Sequence, residues 1–161
     1  MSRLPSLGPR GEGWVIGQAI GLVAVAALGL PGLGDLPPST PIRWVLLLAG
    51  LALLALSAGI GLAGVRALGR NLTAVPRPRE DATLVDHGIY RHIRHPLYAS
   101  LIVGAVGWSL AMASAGSAVA TVVLAAWLDA KSRREERWLG ETYPDYEAYR
   151  RRTHRFVPGL Y

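Results

Sequence analysis

The distribution of charged positions divides the chain into long apolar runs separated by polar segments. Residues 14–34 form an uncharged run of 21 residues, and residues 44–65 form a second one of 22. Each is long enough for one helix to cross a hydrocarbon core of about 30 Å. The pattern therefore predicts two membrane-spanning helices, 14–34 and 44–65. A cleaved signal peptide is an alternative for the first run, but the equally apolar runs that follow argue against it.

The third uncharged run, residues 96–128, is too long for one span. As a single helix, its 33 residues would extend for ~50 Å. The small, weakly helical residues 113–117 offer a break, so we predict a hairpin of two short helices, 97–113 and 116–130. In the polar tail we predict a separate helix from near Asp129 to Leu139 with Gly140 as its stop. Another helix is predicted to begin around Pro144.

Composition agrees with a membrane protein. The 161 residues are 51% hydrophobic and only 17% charged, whereas a soluble domain carries about 25% charged residues. The mean hydropathy is +0.29. The fold class that we predict is all-α: a single domain over 1–161, an integral membrane helical bundle of about four transmembrane helices plus cytoplasmic C-terminal helices. The absence of cysteine excludes disulfides, thiolate metal sites and cysteine nucleophiles.

The basic residues are distributed asymmetrically along the chain. Of the 17, 14 lie in residues 66–95 and 129–161, and Lys131 is the only lysine. Basic loops next to spans face the cytoplasm. We therefore expect a multi-pass protein of the plasma (inner) membrane, with the bilayer as a partner and with both termini and the site on the cytoplasmic side. This placement accounts for the net charge of +6, so nucleic acid is not expected as a partner.

Side chains that could bind a ligand or take part in catalysis are concentrated just before the third apolar run. Pro96 suits the first turn of a helix, whose start offers free amide donors to an anion, and Arg94 and His95 stand beside it. Arg94 as a simple headgroup anchor is the alternative. A metal at His92 and His95 is not expected, because Pro96 prevents a shared helical face. The hairpin returns Glu135 to the membrane face that carries His95, although surface ion pairing is the default for a glutamate in a charged helix.

Taken together, these residues resemble the isoprenylcysteine carboxyl methyltransferase family, which belongs with the membrane phospholipid methyltransferases. The resemblance covers about residues 70–158, and the first two spans match only as spans. It rests on a combination of short motifs: Leu84-Val85, Gly88-Ile89-Tyr90, Arg94-His95-Pro96-Leu97-Tyr98, Glu135-Glu136 with Leu139, Tyr146, Tyr149, and Arg155-Phe156-Val157-Pro158.

The resemblance implies a helical membrane enzyme that uses S-adenosyl-L-methionine, with segments 66–95 and 131–161 holding this cofactor. The implied cofactor-binding residues are Ala82, Thr83, Leu84, Val85, Tyr90, His95, Pro96, Leu97, Tyr98 and Glu135. Ala82 stands where the family has a histidine. Lys131 corresponds to a family arginine that binds the substrate. A lysine keeps the positive charge of that arginine but lacks the paired N–H donors of a guanidinium. A carboxylate or thiolate acceptor needs no general base, whereas an amine acceptor would have to lose a proton, with His95 and Glu135 as the catalytic candidates.

The sequence leaves the identity of the methyl acceptor open. Carboxyl methylation of an isoprenylcysteine-like group is what the family label implies. A phospholipid amine, or a small lipophilic thiol or acid, is an alternative acceptor. A membrane packing or carrier protein without catalytic activity is the other class, in which His95 and Glu135 serve only as interface anchors.

Overall fold

The computed structural model describes residues 5, 7–31, 37, 39–73, 75, 77 and 82–159. Within them the chain is helical, and the only β-type pairing is an isolated parallel bridge between Ile93 and His154. The α-helices are α1 (Glu12–Gly29), α2 (Pro41–Leu68), α3 (Pro96–Met112), α4 (Ala115–Thr142) and α5 (Tyr146–Arg151). Short 3₁₀ turns cover Gly69–Asn71 and Gly88–Arg91.

The two N-terminal helices agree with the predicted spans but have different bounds. Residues 32–34 of the first predicted span lie outside the described residues, and α2 extends the second span at both ends. By length and composition, α1 and the stretch Pro41–Asn71 can cross a membrane, whereas Pro96–Met112 is a shorter apolar helix. Ile20 on α1 and Leu48 on α2 are 64% and 65% exposed. These outward apolar faces fit a helical membrane protein, and the total of four spans remains a prediction.

The predicted break in the third apolar run is confirmed at Ala113. This residue has a left-handed backbone (φ 53°) after α3, and the side chain of Ser114 caps α4 by accepting from the amide of Ser117. Residues 129–139 are helical as predicted, but they do not form a separate helix, because α4 runs without interruption through Gly140 to Thr142.

The continuity of α4 has a local cause. Residues 129–139 are mostly strong helix formers, and a glycine such as Gly140 costs a helix only about 1 kcal/mol relative to alanine. Helix geometry ends just before Tyr143, whose extended backbone (φ −114°, ψ 116°) is the conformation favoured ahead of a proline. The helix predicted to begin around Pro144 is α5, which starts two residues later.

The bundle is ordered α2–α3–α4–α1, with α3 and α4 in the middle. Small residues set the closest approaches. A Cβ on Gly50 of α2 would lie 2.5 Å from the carbonyl oxygen of Gly107 on α3, and a Cβ on Gly17 of α1 would lie 2.2 Å from the ring of Trp127 on α4. Gly50 thus allows α2 to approach α3 closely.

Buried hydroxyl groups tie the closed end of the hairpin together. The Ser109 hydroxyl lies 2.9 Å from that of Ser117 and 3.0 Å from that of Thr121. Ser117 also donates to the carbonyl of Val25 on α1. Each hydroxyl thus finds a partner in an apolar environment, where an unpaired one is costly, and α1 is held against the hairpin.

At the opposite end, the C-terminal segment pairs with the residues that precede α3. Arg94 and His95 donate their backbone amides to the carbonyls of His154 and Arg155, at 2.8 and 3.1 Å. The His154 amide in turn donates to the His92 carbonyl. This pairing fixes the backbone at the start of α3. Within the segment predicted as a polar connection, 66–95, Pro76 and Pro78 lie outside the described residues.

Candidate functional site

A cavity of about 750 Å³ lies at this polar end and extends into the bundle. Helices α1 to α4, the stretch 82–85 and the tyrosines around α5 all contribute to its wall. The sequence-predicted residues on the wall are Ala82, Thr83, Leu84, Val85, Tyr90, His95, Leu97, Tyr98, Lys131 and Glu135. Pro96 is buried at the first turn of α3 instead. The structure therefore brings nearly all of the predicted site residues to one cavity.

His95, Tyr98 and Glu135 form the centre of the polar wall. The Tyr98 hydroxyl donates to Oε2 of Glu135 at 2.7 Å, and the same oxygen lies 3.8 Å from Nδ1 of His95. The rings of His95 and Tyr98 stack with centroids 5.3 Å apart and planes only 7° from parallel. The hairpin thus brings residues 95 and 135 together, as predicted.

Beneath this wall lies a buried ionic cluster that the sequence did not predict. The Glu136 carboxylate accepts from Nε of Arg94 at 3.0 Å, from Nε and a terminal nitrogen of Arg155 at 3.1 and 3.0 Å, and from Nε2 of His95 at 3.3 Å. Another nitrogen of Arg155 donates to Asp129 at 3.0 Å. The available signals were the second glutamate of the Glu135-Glu136 pair and the arginine of the C-terminal motif.

The cluster determines the charge of its central carboxylate. Burial acts to raise the pKa of Glu136, but hydrogen bonds from His95, Arg155 and Arg94 outweigh it and hold this pKa well below its usual range. Arg94 is also committed to the carbonyl oxygens of Arg150 and Thr153. Arg94 is therefore not available to bind a ligand in the predicted anion pocket, because the charge of its guanidinium is neutralised inside the protein.

Lys131 is enclosed although it carries a charge, being only 1% exposed. Its Nζ donates to Oε1 of Gln18 at 2.6 Å and lies 4.9 Å from the centroid of the Tyr98 ring. Burial lowers the pKa of Lys131, and the nearby Glu135 partly offsets that effect. Gln18 belongs to α1, 113 positions earlier, and nothing in the sequence marked it as part of the site.

The tyrosines of the C-terminal region complete the wall. Tyr146 and Tyr149 are buried with their ring centroids 5.9 Å apart, and Tyr143 lies on the same wall. Tyr149 donates its hydroxyl to the carbonyl of Tyr90 at 2.8 Å. Burial raises the pKa of Tyr90, Tyr146 and Tyr149, so all three stay protonated donors. The buried Tyr146 hydroxyl has no hydrogen-bond partner among the described residues.

The stretch 82–85 is held in place by the end of α2. Asn71 accepts from the backbone amide of Thr83 at 3.3 Å and donates to its carbonyl at 3.2 Å. The side-chain amide therefore pairs with the backbone in the way that a neighbouring strand would. This contact places the predicted residues Ala82 to Val85 along the cavity, opposite α4.

A metal site has little support in the geometry. No group of three or more potential metal ligands occurs among the described residues. His95 is buried against Glu136, whereas His92, three positions earlier, is exposed. The two side chains thus lie in different environments.

Comparison with known proteins adds independent information. A model of the family described as phospholipid methyltransferase matches residues 45–146, more than half of the chain. A probable protein-S-isoprenylcysteine O-methyltransferase of Oryza sativa subsp. indica is 30% identical over 119 residues, which are 71% of this chain and 62% of that protein.

Two bacterial proteins with different names are also similar. The cobalt-zinc-cadmium resistance protein CzcN of Cupriavidus metallidurans is 37% identical over 83 residues, 51% of this chain and 38% of that protein. The nickel-cobalt-cadmium resistance protein NccN of Alcaligenes xylosoxydans xylosoxydans is 35% identical over 83 residues, 51% of this chain and 39% of that protein. The chain thus spans between 38% and 62% of the length of these relatives.

Proposed function

Because the chain belongs to the phospholipid methyltransferase family, we propose that it is an integral membrane methyltransferase that transfers the methyl group of S-adenosyl-L-methionine to a lipophilic acceptor. The observation that carries the proposal is the meeting of His95, Tyr98 and Glu135 on one wall of a single cavity. This cavity continues from polar residues at the open end of the hairpin to apolar residues of the spans.

The polar part of the cavity has the chemistry that the methyl donor requires. Glu135 is the partner for its ammonium group or ribose hydroxyls, and the amides at the start of α3, near Leu97 and Tyr98, suit its carboxylate. The unpartnered hydroxyl of Tyr146 offers a donor to a bound polar group. Tyr90 and Tyr98 supply aromatic faces, which attract a cation. When bound, S-adenosyl-L-methionine supplies an electrophilic methyl group on a sulfonium.

The remaining cofactor contacts follow from the placement of the stretch 82–85. Ala82, Thr83, Leu84 and Val85 line the cavity and would contact the bound nucleoside. His95 presents its ring at the same wall, and Pro96 acts indirectly, by setting the backbone at the start of α3. Groups from four separate segments would thereby bind the donor. They would align the donor before any acceptor arrives.

The apolar part of the cavity suits the acceptor. Its wall there consists of span residues, among them Gly61 and Val65 of α2 and Leu101 of α3. Val65 is also 41% exposed, and we propose that this side of the cavity borders the lipid phase. A lipophilic acceptor would reach it laterally, within the bilayer. Water is then kept from the reacting atoms, which strengthens the electrostatic interactions around them.

Lys131 lies on the cavity wall with its Nζ 4.9 Å from the centroid of the Tyr98 ring, and it is the proposed acceptor-binding residue. Its buried ammonium would pair with an anionic or acidic head of the acceptor. Carboxyl methylation of an isoprenylcysteine-like group fits this charge and the name of the Oryza relative. A lipophilic thiol or acid fits it as well, whereas an ammonium of a phospholipid would meet a like charge.

The proposed orientation follows from the charges around the site. The ionic cluster and most basic residues lie at the open end of the hairpin, which we assign to the cytoplasmic face. A four-span topology then places both termini and the cavity mouth there, where the soluble donor is available.

Calorimetry with S-adenosyl-L-methionine on the detergent-solubilised protein tests the proposal. Saturable binding that weakens in His95→Ala supports it, and a folded protein that binds no donor favours a packing or carrier role instead. Incubating membranes with the donor labelled in its methyl group, followed by identification of the labelled lipid or peptide, then identifies the acceptor.

A further inference from the structure

The two ring nitrogens of His95 have different surroundings. Nε2 lies 3.3 Å from Oε1 of Glu136 inside the ionic cluster. Nδ1 is on the side of Glu135, but the 3.8 Å to its Oε2 is too long for a hydrogen bond. Among the described residues Nδ1 has no hydrogen-bond partner, and the His95 ring forms part of the cavity wall.

The protonation of Nε2 follows from the state of its partner. Glu136 is held ionised by Arg94 and Arg155, and an ionised carboxylate only accepts hydrogen bonds. Nε2 must therefore carry the proton. In the neutral imidazole the other nitrogen is then an acceptor, so a lone pair on Nδ1 faces the cavity.

We propose that Glu136 is a positioning residue that fixes His95 as the Nε2–H tautomer, so that Nδ1 is the proton acceptor for a methyl acceptor with a weakly acidic X–H group, a thiol or a phenol. This inference rests on the proposed function. An orienting carboxylate behind a histidine base is a recurrent arrangement in enzymes. Here Arg94 and Arg155 keep that carboxylate charged, and the backbone pairing with residues 154–155 holds the histidine itself.

The proton and electron balance of the step is complete. The X–H bond of the acceptor breaks, its electron pair stays on X, and the proton binds Nδ1. The resulting imidazolium keeps its Nε2–H bond to Glu136, which stabilises the new charge. The pair on X forms the bond to the methyl group, and the pair of the former methyl–sulfur bond stays on sulfur. The buried ammonium of Lys131 favours the anionic form of X.

Acidic, basic and aromatic groups from several elements surround the His95 ring. The groups that face it are Glu135 and Glu136 on α4, Tyr98 on α3, Arg94 beside it and Arg155 in the C-terminal segment. Phe156 contributes an apolar edge. Tyr90, Lys131 and Tyr146 lie on the same cavity wall. Asp129 also pairs with the guanidinium of Arg155.

Nitrogen-15 NMR of the histidine-labelled, detergent-solubilised protein reads the tautomer directly, without donor or acceptor. The His95 signal is identified by its loss in His95→Asn. At pH 7 we expect a neutral ring protonated on Nε2. Glu136→Gln should lose this preference, whereas Glu135→Gln, which leaves the Nε2 contact intact, should keep it. An imidazolium or an Nδ1–H tautomer in the unmodified protein overturns the inference, and this spectrum decides even if Glu136→Gln does not fold.

Kinetics with the labelled donor provide the second readout, using dodecanethiol and palmitate as probe acceptors. We expect the thiol to be methylated, with a kcat that falls in acid. Glu136→Gln should lower this kcat by about 10²–10⁴-fold, the usual contribution of a general base, while the donor Kd changes less than threefold. Methylation of palmitate alone, or an unchanged pH profile in Glu136→Gln, overturns the role. Absent donor binding with the expected tautomer contradicts the proposed function instead.

Discussion

The Tyr98 hydroxyl on α3 donates a 2.7 Å hydrogen bond to Oε2 of Glu135 on α4, across 37 positions of sequence. This bond joins the two arms of the hairpin at their open end. It also orients the carboxylate that we assign to the methyl donor, so the geometry of the hairpin and that of the site depend on the same contact.

Replacing Glu135 by glutamine should weaken donor binding by about tenfold or more, because a hydrogen bond to a charged group contributes about 1.5–3 kcal/mol. Helix content should not change. Titration calorimetry measures the donor Kd. Glu147→Gln is the matched control, since Glu147 is exposed and pairs with Arg150 on the surface. Equal affinities in Glu135→Gln and the control would refute the assignment of Glu135.

Removing the ammonium of Lys131 should affect the acceptor more than the donor. In Lys131→Ala we expect the kcat/KM for the acceptor to fall by about tenfold or more, because the acidic head loses its counter-charge, with a donor Kd within twofold of the original. Lys131→Met keeps most of the side-chain volume and separates loss of charge from loss of packing. A change confined to the donor Kd would contradict the role given to Lys131.

Acid should destabilise the protein through Glu136. The pKa of this carboxyl is lowered in the folded state, so the folded form binds its proton less readily than the unfolded form. Its contribution to stability is therefore complete above the unfolded pKa of about 4.5 and is lost as pH falls further. Thermal unfolding in detergent from pH 7 to pH 3 measures this loss.

The same series in Glu136→Gln provides the control for the acid effect. This variant should be less stable at neutral pH by about 3–5 kcal/mol, because the buried guanidinium of Arg94 loses its carboxylate and that of Arg155 keeps only Asp129. Its stability should then depend less steeply on pH below 4.5. Parallel curves for both proteins would show that other carboxyl groups dominate acid unfolding.

The crossing of α2 and α3 should not tolerate a side chain at Gly50. A methyl group there would lie 2.5 Å from the Gly107 carbonyl, so Gly50→Ala should destabilise the bundle by about 1–3 kcal/mol. Gly59→Ala on the same helix is the control, because nothing lies within 4 Å of its added Cβ. Unfolding in mixed micelles measures both, and equal stabilities would contradict the close approach.

The sequence contained enough information for the main features of the site. An uncharged run too long for one span required a break, and Ala113 provides it. That break is what brings His95 and Glu135 to the same wall. The family resemblance, read from short motifs in the C-terminal half, is confirmed by a match that begins in α2.

Other contacts depended on tertiary structure. The pairing of Lys131 with Gln18 joins residues on α4 and α1, and no local pattern encodes which side of α1 faces the hairpin. The ion pair between Arg155 and Glu136 likewise requires the C-terminal segment to fold back over α3. The prediction that the helix stops at Gly140 was wrong, because the cost of one glycine in a helix is small beside the contacts that hold the end of α4 in place.

The uninterrupted helix α4 also fixes the spacing between two residues of the site. Lys131 and Glu135 lie one turn apart on it, a rise of about 6 Å at 1.5 Å per residue, so helix geometry sets the spacing of the backbone positions that carry the proposed acceptor contact and the proposed donor contact. An insertion of one residue between positions 131 and 135 would rotate one contact by about 100° and uncouple the two ligands.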